Sequence, residues 1–142
     1  MRVLGACSLG GAGHLQPLRP LLDAAQRRGA DTLLADPPAI ASMVEQMGLR
    51  FAVCGEPPED VVGPIRERLP TATAAEASVL GNRELFGRLA TTAMLPGLER
   101  IVAEWAPDLV VRDPCEYASA VIVSTSPWRR WRSVSPMSVG ID

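Results

Sequence analysis

The chain has 142 residues, of which 47% are hydrophobic and 21% charged, with a formal net charge of -2 and a pI near 5.4. That length suits one domain with a real core. The slightly acidic balance excludes a general pull toward nucleic acid or an anionic membrane, and no stretch approaches membrane-spanning length.

All 14 cationic residues are Arg, a coding bias from which no function follows. Cys7, Cys54 and Cys115 are odd in number, far apart and without metal-ligand spacing, which argues against a disulfide framework or a zinc site and for a reducing cytoplasm. Leu4-Gly5-Ala6-Cys7 looks like a lipoprotein cleavage box, but too few residues precede the cysteine for a leader.

In chain order, Arg2 to Cys7 is an apolar run that predicts a buried strand, stopped by Gly10-Gly11-Ala12-Gly13. The only histidine, His14, then opens a helix in which Leu18, Leu21, Leu22 and Ala25 share an apolar face and Gly29 supplies the stop. Asp31 to Asp36 predicts a second strand. Ile40, Met43, Val44 and Met47 recur at helical spacing, with Gly48 as the cap, and Phe51 to Cys54 predicts a third strand. Strand and helix alternate, so the sheet is expected to be parallel: an α/β, Rossmann-like sheet flanked by helices.

Pro57, Pro58, Pro64 and Pro70 break the pattern from Gly55 to Thr73, which reads as a surface excursion with a short helical piece at Val61 to Leu69. Ala74 to Trp105 is helical in character, with a break expected at Pro96-Gly97 and Trp105 expected in the core. Leu109-Val110-Val111 predicts a fourth strand ending at Arg112-Asp113-Pro114, and Tyr117 to Val123 the helix after it. A cluster of Trp and Arg at Pro127 to Arg132 lacks periodicity and reads as a packed terminal segment, with a fifth strand around Val134 to Met137.

In an open sheet of this type, ligands sit beyond the carboxyl ends of the strands, at the switch point between the first and fourth. That rule puts His14 and Asp113 on opposite lips of one crevice. A glycine-rich turn there permits close backbone approach, and exposed N–H groups at a helix start suit an anion or a reacting hydroxyl. The positive end of that helix favours a neutral imidazole, and a carboxylate on its far nitrogen would fix the tautomer, making a general base for a hydroxyl. The plainer alternative is that His14 caps the helix and Asp113 bonds nearby backbone. A further alternative takes Gly11-Ala12-Gly13 as a dinucleotide fingerprint with Asp36 as the ribose-binding acid; Gln16 and Pro17 stand where that fingerprint needs its third glycine.

The stretch GAGHLQPLRPLLDAAQRRGA resembles the opening of GT-B glycosyltransferases, with a glycine turn, a GHxxP motif and a helix ending in RRG. WAPDLVVRDPCEYASAV is similar to the later family segment in which a Trp-x-Pro-Asp-Leu-Val run leads to an acidic residue and a helix. Two motifs in register over residues 1–125 are similar to bacterial enzymes that attach deoxysugars to antibiotic and polyketide aglycones. The resemblance implies a Rossmann-like, acceptor-side domain over 1–125, with 126–142 a divergent terminal segment. It implies His14 as the base for the acceptor hydroxyl and Asp113 as its partner; some relatives carry Glu there. It also implies inverting transfer from a TDP- or UDP-sugar to a hydroxyl of a hydrophobic natural-product aglycone, without metal or cofactor.

By the same resemblance Gly10, Gly11 and Gly13 lie near the donor phosphates, and the excursion after Gly55 with the helices after Ala74 lines the acceptor site. GT-B enzymes bind most of the nucleotide sugar in a second domain, and the sequence stops before one. The expectation is therefore the truncated N-terminal half of a GT-B fold, a poor catalyst alone. The competing class is a non-catalytic aglycone-binding or interaction module that self-associates or pairs with another chain through the face the second domain would cover.

Overall fold

In a computed structural model, residues 1–9 and 11–125 are described in full and 132–134 by their backbone. Five parallel strands, β1 (Arg2–Ala6), β2 (Asp31–Asp36), β3 (Phe51–Val53), β4 (Leu109–Arg112) and β5 (Arg132–Val134), form one sheet in the order β3-β2-β1-β4-β5. The strand order reverses between β1 and β4, as expected. The fifth strand starts two residues before the expected Val134, and Met137 and the Trp and Arg residues at 127–131 lie outside the described residues.

Both faces of the sheet are covered, and the alternation of side chains along each strand assigns the residues. On one face Val3, Leu34 and Val111 pack against Leu18 and Leu22 of α2 (Arg19–Arg27) and its approach, and Val44 of α3 (Ala41–Gln46). On the other, Leu4, Leu33, Ala35 and Val110 pack against Met94, Leu98 and Ile101 of α6 (Thr91–Trp105) and Ala118 and Ile122 of α7 (Ala118–Thr125). Leu22, Leu34 and Leu98 are essentially buried; each such leucine contributes about 1.5–3 kcal/mol through its apolar area. Leu21, expected on the buried face of α2, is 37% exposed, because Leu18 and Leu22 already meet the sheet one turn apart. Gly29 and Gly48 end their helices at φ of 78° and 66°, the left-handed conformation expected of a glycine stop.

The prolines interrupt less than their number suggests. Helix α4 (Glu59–Arg68) runs through Pro64, and α6 runs through Pro96-Gly97, where a break was expected. Pro96 and Thr92, the residue four positions earlier whose carbonyl loses its donor, are both exposed, so water can take the unmade bond. Gly97 is required for packing: a Cβ there would stand 3.0 Å from the Cα of Cys54. Trp105 is partly buried against the second core cluster and accepts a bond at its carbonyl from the Arg2 guanidinium (2.7 Å).

A capping box starts the long helical segment. The Thr73 hydroxyl accepts from the Glu76 N–H at 3.3 Å, and the Glu76 carboxylate accepts from the Thr73 N–H at 2.9 Å. Helix α5 (Ala74–Ser78) then widens into a π-helix over Val79–Ala90 before α6 begins. At its end the Thr91 hydroxyl donates to the carbonyl of Phe86, five residues back, at 2.8 Å. A side chain at Gly87 would meet the Asn82 carbonyl oxygen at 2.8 Å, so the wide turn needs glycine there.

Candidate active site

Strand pairing brings the first pair of residues together. Ala6 pairs with Arg112, and the next N–H, that of Asp113, donates to the Ala6 carbonyl at 2.9 Å, which sets Asp113 beside Cys7 at the carboxyl edge of the sheet. From Cys7 the chain turns through Leu9, which takes a left-handed φ of 60°, and enters α1 (Ala12–Leu15), a helix of only four residues. The Cys7 thiol donates to the His14 carbonyl at 3.5 Å. His14 Nδ1 then lies 3.1 Å from Asp113 Oδ2, although the two are 99 positions apart in sequence.

Asp113 is nearly buried, with its side chain 6% exposed, while His14 keeps 30% of its side chain in solvent. The same Asp113 oxygen accepts from the Cys115 N–H at 2.9 Å. The loop carrying it is tied down by Arg112, whose guanidinium donates to the carbonyls of Glu116 (2.8 Å), Asp113 (3.3 Å) and Pro114 (3.4 Å). Asp113 is thus held from both sides, while the imidazole stays partly open to solvent.

The hydrogen bond to Asp113 raises the His14 pKa; burial works against this, and the negative charges of Asp113 and Asp36 add to it. The expected helix-start effect had the opposite sign. It loses because α1 is one turn long, His14 sits in its last turn rather than at its start, and a carboxylate in contact outweighs a few unpaired N–H groups. Below the crevice, Asp36 and Glu116 are fully buried. Glu116 accepts from the Ser119 N–H at 3.0 Å and from the Ser119 hydroxyl, capping α7; burial raises its pKa against those bonds. Burial, and then the Asp36 charge, pushes up the Cys7 thiol; burial, and then the Glu116 charge, pushes the Cys54 thiol up to about 12.

Among the described residues, donor atoms of His14, Asp113 and Cys115 lie within 4.8 Å of one another. Within the set, Asp113 Oδ2 bonds His14 Nδ1 and the backbone N–H of Cys115. Asp36 does not fit the ribose-binding role of the dinucleotide alternative, since a carboxylate with no solvent exposure cannot reach a ligand hydroxyl. Gly10 lies outside the described residues. A Cβ at Gly13 would meet nothing within 4 Å, and one at Gly11 would meet only His14 Cδ2, at 3.3 Å.

Beyond β1, β2 and β3, a depression of about 160 Å³ is lined by residues including Leu9, Ala39, Glu56, Val62 and Arg66. It falls in the expected excursion. Sequence reasoning missed Glu116 and Phe86. The Phe86 ring stands edge-on to His14 with centroids 5.3 Å apart and planes at 63°.

No family model matches the sequence. The chain is 32% identical over 134 residues to the L-demethylnoviosyl transferase of Streptomyces niveus, covering 92% of this chain and 34% of that protein. The solved glycosyltransferase SsfS6 of Streptomyces sp. SF2575 superposes with a TM-score of 0.72 at 23% identity, over 95% of this chain and 39% of that one. The chain has the fold of the N-terminal half of GT-B glycosyltransferases. Two further GT-B structures agree: SnogD of Streptomyces nogalater, with a TM-score of 0.66 at 23% identity over 96% of this chain and 34% of that one, and VinC in complex with dTDP, at 0.66 and 22% over 87% and 32%. The chain spans about a third of the length of each of these four proteins, three of them from Streptomyces. None of the described helices of the GT-B domain is long and apolar enough to cross a membrane.

Asp113→Asn tests the electrostatics directly, because the single histidine gives one imidazole resonance set by NMR. The expected result is a His14 midpoint below that of the wild type. A raised folded-state pKa adds stability that is fully present below the unfolded value of about 6.5 and is lost as pH rises through the folded value. The stability gap between wild type and Asp113→Asn is therefore expected to be wider in the acidic window than in the alkaline one. A gap independent of pH would show that His14 is not coupled to Asp113.

Proposed function

We propose that this domain is the acceptor side of an inverting glycosyltransferase, moving a sugar from a TDP- or UDP-linked donor to a hydroxyl of a hydrophobic natural-product aglycone. The observation that carries the reading is the 3.1 Å bond between His14 Nδ1 and Asp113 Oδ2. It keeps the proton on Nδ1, donating to Asp113, and leaves the Nε2 lone pair free for the acceptor hydroxyl. As the acceptor oxygen bonds to the anomeric carbon, its proton passes to Nε2, the bond from that carbon to the diphosphate breaks, and the nucleoside diphosphate leaves. Asp113 stabilises the imidazolium so formed.

The naming of the Streptomyces niveus relative as a transferase and the dTDP bound to VinC support this chemistry. In this reading the open space at Gly11 and Gly13 receives the donor phosphates, the excursion after Gly55 contacts the aglycone, and no metal or cofactor takes part. In this reading the donor is held mainly by a second domain, and residues 1–142 on their own do not bring the reacting atoms into near-attack geometry.

The test joins this chain to the donor-binding half of a relative and supplies a TDP-sugar with an aglycone. Transfer that needs both halves is the expected result. Aglycone binding with no transfer in any such pairing would replace this reading with that of a non-catalytic module.

A further inference from the structure

We infer that Phe86 is a positioning residue for His14: its ring, delivered by the π-helix, holds the imidazole plane in the orientation that gives Nδ1 to Asp113. The inference rests on the proposed base role of His14 for its importance, but its geometry stands separately. Rotation about the last side-chain torsion of histidine is soft, with two broad wells half a turn apart. In the wrong well Cδ2 faces Asp113, and the dyad is broken with no change in the backbone.

Three contacts fix the ring: the bond to Asp113 distinguishes the two wells, and the other two hold the ring plane in which that bond can form. Asp113 holds Nδ1 at 3.1 Å. The Gly11 Cα side leaves just enough room for Cδ2, since a Cβ there would stand 3.3 Å away. Phe86 packs against the ring itself at a centroid distance of 5.3 Å and 63°, within the range of attractive edge-to-face aromatic pairs.

The helix carrying Phe86 is wound for this contact. An i→i+5 turn is rare and is frequently found at functional sites. Here Gly87 and the bond from the Thr91 hydroxyl to the Phe86 carbonyl sustain it at the residue that meets His14. Other ionisable groups near the imidazole are Asp113 and Cys115 on the β4–α7 loop, Asp36 at the end of β2 and Cys7 at the end of β1. Phe86 adds no charge to this set, so its effect on His14 must act through orientation and packing.

The experiment is ¹⁵N and ¹H NMR titration of the imidazole in the 142-residue chain, which has no other histidine. In the wild type the Nδ1–H tautomer is expected to dominate, whereas a free histidine side chain prefers Nε2–H. Phe86→Leu is expected to raise the Nε2–H fraction severalfold and to lower the midpoint toward the ordinary value of about 6.5. Phe86→Tyr is expected to restore both. Wild-type tautomer ratio and midpoint in Phe86→Leu would overturn the inference, as would failure of Phe86→Tyr to restore them. If Phe86→Leu does not fold, Thr91→Val becomes the deciding variant, since it removes the hydroxyl clamp at nearly constant shape; the same two shifts support the inference, and their absence overturns it. The readout needs no turnover. Shifted tautomers alongside a joined enzyme that transfers no sugar would leave the positioning role in place and remove the base role.

Discussion

Transfer by a joined enzyme carrying His14→Ala is expected to fall by about 10²–10⁴-fold, the range a positioned general base contributes. Alanine has a second effect that must be separated from the first. It strips a donor from Asp113, which is nearly buried and keeps only the Cys115 N–H at that oxygen. Bonds to charged groups are worth about 1.5–3 kcal/mol, so part of any lost activity in His14→Ala could come from a loosened site. His14→Asn removes this ambiguity. Its amide nitrogen is as many bonds from Cβ as Nδ1 is, so it can still donate to Asp113, but it has no basic lone pair. The expected pattern is a stability near that of the wild type for His14→Asn, a lower one for His14→Ala, and the same loss of transfer in both. Turnover by His14→Asn at the wild-type rate would exclude His14 as the base.

That the dyad could be anticipated at all follows from topology. The apolar runs at Arg2 to Cys7 and Leu109 to Val111 are short and bounded by turn residues, and a parallel sheet with helical crossovers leaves few places for them except side by side. Once β1 and β4 are neighbours, the residues just past their ends, His14 and Asp113, share one crevice. Other features depend on contacts that periodicity does not encode. Glu116 looks like a surface acid, but Ser119 and the Arg112-braced loop fold it beneath α7. The π-helix around Phe86 depends on a hydroxyl and a glycine meeting backbone five residues away, a spacing that no helical pattern search uses. Sequence reasoning also missed the capping box of Thr73 and Glu76, although their spacing displays it. Pro96 signals a break by its chemistry, yet α6 runs on, with the residue whose carbonyl it deprives, Thr92, exposed to water.

The last of these bears on stability. Helix α6 lies on the strand end at Cys54-Gly55 through two glycines, one on each side of the contact. A Cβ on Gly97 would press on the Cys54 backbone at 3.0 Å, and one on Gly55 would stand 2.4 Å from the Ala93 carbonyl oxygen. The second collision is the harder to relieve, since neither partner is the end of a flexible side chain. Gly55→Ala must lift α6 from the sheet, opening the packing of Met94 and Leu98 on Leu4 and Val110, or distort the chain after β3. The expected destabilisation is about 1–3 kcal/mol or more, as for overpacked cores. Gly63→Ala is the control. Its Cβ would lie 3.7 Å from the exposed Glu59 carboxylate, an ordinary contact on α4, and the gain of a better helix former is offset by crowding against the next residue, Pro64, so a change of less than about 1 kcal/mol is expected. Urea unfolding at constant m value distinguishes the two. Equal midpoints for Gly55→Ala and the wild type would mean that α6 does not rest on Gly55, and the π-helix that precedes it would lose the fixed platform from which Phe86 reaches His14.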